Sequence, residues 1–277
     1  MNTIKQKKRM RGIGRFFIAF LIFVVHLIPF YILLGVAFKS PADPSSRWVM
    51  PGYFYLDNFK EAMEYGKILS SIFSNIIITG CAIVGISVLG ALAAYPLARN
   101  NSKFNRGVRV FSLGMMMVPP LSILVSLYSL IAGMHGTSTY WGIILILITF
   151  QLPTSIFLYT NFISSIPRAL DEAAQIDGCS SLRLFFSIIL PQLKPVTASV
   201  IIMTGVSCWN DYMFSLYFLQ SPRIKTVTLS IASFFTQNSS KMNAAAAAAL
   251  LGILPILVLY FCLQKYFIKG MVDSAIK

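Results

Sequence analysis

Six apolar stretches, 16–38, 72–97, 108–134, 140–162, 196–219 and 244–267, occupy most of this 277-residue chain. Each is long enough to cross a hydrocarbon core of about 30 Å, which takes roughly 20 helical residues. None alternates with the period of two that a membrane β-barrel needs. Apolar residues make up 56% of the chain and charged residues 12%, against about 25% charged in an ordinary soluble domain. One soluble core could not bury that excess, so the chain reads as an all-α polytopic membrane protein with six transmembrane helices.

The run at 16–38 follows "MNTIKQKKRMRGIGR", a start that imitates a secretory signal. It is too long for a signal core of roughly 7–15 residues and reads as an uncleaved first span. The expected organisation is a basic N-terminus (1–15), one transmembrane domain (16–267) and a short tail (268–277).

The net charge of +14 does not argue for nucleic acid, because the basic residues sit in short clusters between spans. That placement sets orientation instead. Sixteen Lys and Arg fall on one side, in 1–15, 99–109, 164–194 and the C-terminal end, and seven on the other. Both termini and the 164–194 loop are therefore expected in the cytoplasm, and 39–71 outside. The outer loop, with "KSPADPSSRWVMPGYFYLDNF", reads as irregular structure. The six alanines from Ala244 to Ala249 suit close helix packing in lipid. Cys81, Cys179, Cys208 and Cys262 are far apart and read as buried hydrophobes. His26 and His135 are isolated and receive no role.

Asp171, Glu172 and Asp177 gather three of the chain's nine acidic residues into the longest cytoplasmic loop. There they are expected to face water. "SSIPRALDEAAQIDG" reads as a short helix, with Ser165 as N-cap, Pro167 in the first turn and Gly178 as the stop. Ala169, Ala173 and Ile176 then share one face, and Glu172 pairs with Arg168 at i, i+4. A second helix carries Leu182, Phe185, Phe186 and Ile189 as its apolar stripe.

Glu172-Ala173-Ala174, followed by Gly178 and later by Ile188, Leu190 and Pro191, matches the "EAA" signature of permease subunits in ATP-binding-cassette importers. The wider "IPRALDEAAQIDGCSSLRLFFSIILPQLKP" is similar to the carbohydrate-importing subfamily. So are "NFKEAMEYGKILSSIFSNIIIT", "ALAAYPLAR", "MVPPLSILVSLYSLI", "QLPTSIFLYTNFISSIP", "WNDYMFSLYFL" and "KYFIKGMVDSAIK". Nearly the whole chain resembles the second permease of the maltose-type heterodimer. The resemblance implies the type I importer permease architecture in a bacterial plasma membrane. It also implies a second homologous permease, two cytoplasmic ATPase subunits carrying ATP and magnesium, and an extracellular solute-binding protein. It makes the EAA loop a coupling helix docked on an ATPase, through Ala169, Glu172, Ala173, Ala174, Asp177, Gly178, Leu190 and Pro191. Glu172 would be the charged contact, and Ala173 and Ala174 the close-packing ones.

No GxxxxGK[ST] phosphate loop is present, so this chain binds no ATP by that route. No cofactor or metal is expected on it, and no catalytic set such as HExxH or paired aspartates lies in the spans. A secondary transporter would need several intramembrane carboxylates, whereas Asp211 alone lies within a span. A peptide, polyamine or phosphonate remains the alternative solute to a sugar. Asp211 falls about 22 Å along its span, beside Trp209, Asn210 and Tyr212. Two readings stand for this group: direct contact with sugar hydroxyls, or a structural or gating role, with the second favoured. Pro119 and Pro120 are expected to break the third span, and Pro153 and Pro255 to interrupt the fourth and sixth, as path-lining breaks, hinges or packing kinks.

Overall fold

The computed structural model describes residues 2–235 and 241–275, with side chains over 14–235 and 241–265. The side chains of the expected basic N-terminus up to residue 13, and of the tail 268–277, lie outside the described residues. The helices in chain order are α1 (Asn2–Phe38), α2 (Asp57–Glu64), α3 (Ile68–Arg99), α4 (Lys103–Met115), α5 (Leu124–Gly133), α6 (Tyr140–Ser165) and α7 (Ala169–Ile176). There follow α8 (Ser181–Leu184), α9 (Leu190–Gln192), α10 (Lys194–Trp209), α11 (Met213–Phe218), α12 (Val227–Ala232) and α13 (Met242–Ala275). No β-strand occurs among the described residues.

By length and apolarity α1, α3, α6 and α13 can each cross a membrane. The count rises to six when each of two bent helix pairs is taken as one span. The first pair joins Lys103–Met115 to Pro120–Gly133 at 96°. Pro119 and Pro120 cause the break as expected: Pro119 is extended at ψ 125°, and two successive prolines remove two backbone donors. The second pair joins Ser181–Gln192 to Lys194–Trp209 at 73°. The fifth expected span does not run through: α10 stops at Trp209 and helix resumes only at Met213. Pro153 and Pro255 do not interrupt their spans, because α6 and α13 carry on through them. In an apolar medium the flanking residues keep their own helical bonds, so a single proline is absorbed.

The chain divides into two compact units. The first comprises residues 1–68 and 231–251. Here the carbonyls that end α1 are satisfied by side-chain amides: Asn58 donates to Ala37 and Lys39, both at 2.8 Å, and Asn243 donates to Val36 and Lys39 at 3.0 and 2.8 Å. Those bonds meet the orphan acceptors at a helix C-terminus. Ala244 to Ala248 are all buried, as a stripe of small residues for close helix approach requires. The loop after α1 is irregular up to α2, but it is braced. Lys39 Nζ donates to Ser45 Oγ and to the Ser46 carbonyl, both at 2.8 Å, and Tyr53 donates to Asp43 at 2.5 Å.

The second unit, residues 69–230 and 252–277, holds the larger core, with Ile78, Ile86, Ile143, Tyr159, Ile163 and Val200 buried. Gly90 lets α3 meet α6: a Cβ there would overlap the Ser155 hydroxyl, which donates to the Ile86 carbonyl at 3.0 Å. Asn75 donates to the Trp209 carbonyl at 3.0 Å, Trp209 Nε1 to the Gly252 carbonyl at 3.1 Å, and Tyr159 to Thr197 at 3.0 Å. Each such interhelical bond is worth about 0.6 kcal/mol in a membrane bundle. Together they tie α3, α6, α10 and the part of α13 from Gly252 onward to one another within this unit.

Candidate functional site

The loop after α6 folds as the local chemistry dictates. Ile166 is extended at ψ 129° because Pro167 disfavours helix in the residue before it. Ser165 does not cap the next helix; it is the last residue of α6 and donates to the Phe162 carbonyl at 2.8 Å. Helix α7 therefore starts behind Arg168, without a side-chain cap. Its exit is a Schellman turn. The Gly178 N–H reaches the Gln175 carbonyl at 3.0 Å, and the Cys179 N–H reaches the Ala174 carbonyl at 2.9 Å. Gly178 takes φ +75°, the left-handed conformation in which a side chain is costly. Ser180 then caps α8, accepting from the Arg183 N–H at 3.4 Å.

Helix α7 has two distinct faces. Ala169, Glu172, Ala173 and Ile176 form an exposed row at i, i+3, i+4 and i+7, with Ile176 86% exposed. Asp177 and Gly178 are exposed beside it. On the opposite side Asp171 and Ala174 are buried. Two expectations are thereby corrected. Asp171 does not face water, and Ala174 does not belong to the free surface, because it packs into this unit's own core. The expected pair of Glu172 with Arg168 does not form among the described residues. Arg99, the last residue of α3, instead forms an ion pair with Asp171.

That ion pair is a cluster of four groups. Arg99 Nη2 lies 2.7 Å from Asp171 Oδ2, a charge contact, and neither buried atom has another partner. Arg99 Nε donates to Oδ1 at 3.2 Å, and Nη1 donates to the Ile166 carbonyl at 2.9 Å. The Tyr95 hydroxyl donates to the same Oδ1 at 3.0 Å, and its ring lies 5.4 Å from that of Phe185. Tyr95 and Arg99 stand at i, i+4 in "ALAAYPLAR", a spacing that places them on one face of α3. That spacing was the signal for the cluster, but only the fold supplies its partner.

The second helix of the loop also departs from its expected stripe. Residues Phe185–Ile189 form a π turn, which widens the repeat so that Leu184 and Ile189 lie on one side. Leu184, Phe185 and Ile189 are buried, while Leu182 and Phe186 are exposed. Leu190 and Pro191 remain exposed, next to the 73° bend into α10.

A cleft of about 310 Å³ opens elsewhere in the same unit. Pro120 and Met115 line it from the α4–α5 break, Gln151 and Thr154 from α6, Ser207 from α10, and Asp211 from the gap before α11. Gln151 Nε2 donates to Ser207 Oγ at 2.5 Å. Asp211 caps α11, accepting the N–H of Phe214 at 3.3 Å and the N–H and hydroxyl of Ser215, both at 2.8 Å. Of the other residues expected on a path, Trp209 is buried in helix packing, Asn210 and Tyr212 are exposed, and Pro119 lies outside the cleft lining. Gln151, Thr154 and Ser207 were not among the expected path residues, although each is a polar residue within an apolar run.

Residues 86–273 match the family described as binding-protein-dependent transport system inner membrane component. The chain belongs to this family, and it is a multi-pass membrane permease subunit of a transport system. Among its relatives, the melibiose/raffinose/stachyose import permease protein MelC of Bacillus subtilis is 41% identical, over 94% of this chain and 95% of the relative. The probable starch degradation products transport system permease protein AmyC of Thermoanaerobacterium thermosulfurigenes is 31% identical, over 96% and 98%. The fold is similar to that of a chain in a bacterial ABC transporter involved in the import of the acidic polysaccharide alginate. The TM-score is 0.79 at 18% identity, over 94% of this chain and 97% of that one.

Proposed function

We propose that this permease carries a sugar, of di- or oligosaccharide size, through the bacterial plasma membrane, and that ATP hydrolysis on partner subunits drives it. The relatives named for melibiose, raffinose and stachyose, for maltodextrin and for starch degradation products support the sugar class. The partners are a second homologous permease, two cytoplasmic ATPase subunits holding ATP and magnesium, and an extracellular binding protein that delivers the sugar. The chain itself hydrolyses nothing. Both termini and α7 face the cytoplasm, in line with the distribution of Lys and Arg.

The observation that carries the coupling role is the exposed row Ala169, Glu172, Ala173 and Ile176 on α7. Small residues beside one carboxylate and one large apolar side chain suit a groove with a basic contact for Glu172. On the sugar's route, the cleft with Gln151, Thr154, Ser207 and Asp211 offers amide and hydroxyl groups and the rings of Phe150 and Phe214. Polar groups within apolar spans usually face a cavity or a partner, which supports a solute path here.

The test is purification of the chain from its native membrane in mild detergent, followed by reconstitution in liposomes. Co-purification of a second permease and an ATPase, with ATP-dependent uptake of a radiolabelled oligosaccharide such as raffinose, is the expected result. Uptake without ATP by this chain alone would replace the proposal with a secondary transporter. ATP-driven uptake of a peptide, polyamine or phosphonate would replace the sugar.

A further inference from the structure

The ion pair of Arg99 with Asp171 does more than bury two charges. Arg99 ends α3, and its guanidinium holds both the Asp171 carboxylate on α7 and the Ile166 carbonyl that leads out of α6. Tyr95, one turn earlier on α3, donates to the same carboxylate. Three elements thus meet on one planar, five-donor group whose fork fixes direction as well as distance. Asp171 is 7% exposed, while its neighbour Glu172 belongs to the exposed row. A push on that row cannot rotate or slide α7 without moving the end of α3 or pulling the carboxylate off two donors set i, i+4 apart. Apolar contact alone, such as that of Ala174, would let the helix slip.

We propose that Arg99, Asp171 and Tyr95 are positioning residues for coupling: they lock α7 to α3 and to the exit of α6, so that movement of a docked ATPase passes into those helices. This rests on the coupling role proposed above for α7. The residues touch neither sugar nor nucleotide; they act through α7.

The test uses the whole transporter with its partner subunits in proteoliposomes, with solute uptake and ATP hydrolysis measured on the same sample. Arg99→Lys keeps the charge and loses the fork, Asp171→Asn keeps the shape and loses the charge, and Tyr95→Phe removes one donor. ATP consumed per solute is expected to rise about tenfold in the first two, and less in Tyr95→Phe, with all subunits still recovered. The Arg99→Asp/Asp171→Arg exchange is expected to recover part of the ratio, a readout that a merely structural role would not move. An unchanged ratio in assembled Arg99→Lys and Asp171→Asn would overturn the proposal. If those two variants do not assemble, an unchanged ratio in Tyr95→Phe overturns it. Absence of ATP-driven uptake in the unsubstituted transporter would instead remove the coupling reading on which the inference rests.

Discussion

The guanidinium of Arg99 lies 2.7 Å from the carboxylate of Asp171, although 72 residues separate them in the chain. Their side chains are 12% and 10% exposed, so each charge depends on the other for what water would have supplied. Removing one partner of such a pair costs about 3–5 kcal/mol, because the other is left buried and uncompensated. Asp171→Ala is therefore expected to lower the stability of the purified chain by about that amount. Glu172→Ala, one residue along but on the exposed row, should change it by less than about 0.5 kcal/mol. Thermal unfolding of both variants in the same detergent checks this contrast, and equal effects would contradict the two-faced α7.

Glu172→Lys reverses the only charge on the exposed row Ala169, Glu172, Ala173 and Ile176. Like charges opposed across an interface cost several kcal/mol. Uptake should fall about a hundredfold or more, while the unfolding temperature stays that of the unsubstituted chain. Uptake at the original level would remove Glu172 from the docking surface.

Gly178 is required by its backbone and not by crowding, since a Cβ at this position would meet nothing within 4 Å. At φ +75° a residue with a side chain pays about 1–2 kcal/mol. Gly178→Ala should destabilise the turn by that amount, and Gly178→Asn by less, because asparagine tolerates the left-handed region. Hydrogen exchange at the Cys179 amide, which closes the turn, would report the difference.

Asp211 serves α11 as a cap and also lines the cleft. Asparagine is as good a cap as aspartate, whereas alanine loses about 0.5–2 kcal/mol. Both Asp211 oxygens accept hydrogen bonds and asparagine offers only one, so Asp211→Asn should keep part of the stability that Asp211→Ala forfeits. If Asp211→Asn transports normally, the carboxylate is structural. If transport falls with that part retained, its charge acts on the route of the solute.

In the loop after α1, hydrogen bonds from the Ser45 hydroxyl, from the Tyr53 hydroxyl and from the Ser45 N–H hold the Asp43 carboxyl down to about 2. A carboxylate lowered in this way stabilises the folded loop fully above its unfolded value near 4, and that contribution fades as pH falls through about 2. The loop should stay closed at pH 5 and loosen progressively below pH 4. In Asp43→Asn this acid-dependent step should be absent. Hydrogen exchange at the Ser45 amide across that range distinguishes the two.

Hydropathy and local turn chemistry determined much of this protein without reference to any contact. Runs of twenty or more apolar residues can only be helices in lipid, Pro119–Pro120 can only break one, and Gly178 marks the stop of α7. The order of motifs likewise announced the family. Tertiary structure alone decided which face of each short helix turns inward. Asp171 and Glu172 are adjacent, equally charged and about 100° apart on α7, so nothing local separates the buried carboxylate from the exposed one. Arg99 separates them, because a buried carboxylate is tolerable only where a cation meets it. The π turn at Phe185–Ile189 changed the buried stripe for a similar reason: packing of Leu184 and Ile189 against the core favours a five-residue repeat. Gln151 lies on α6, Ser207 on α10 and Asp211 in the gap between α10 and α11, and it is the breaks at Pro120 and Asn210 that leave a cleft where they converge.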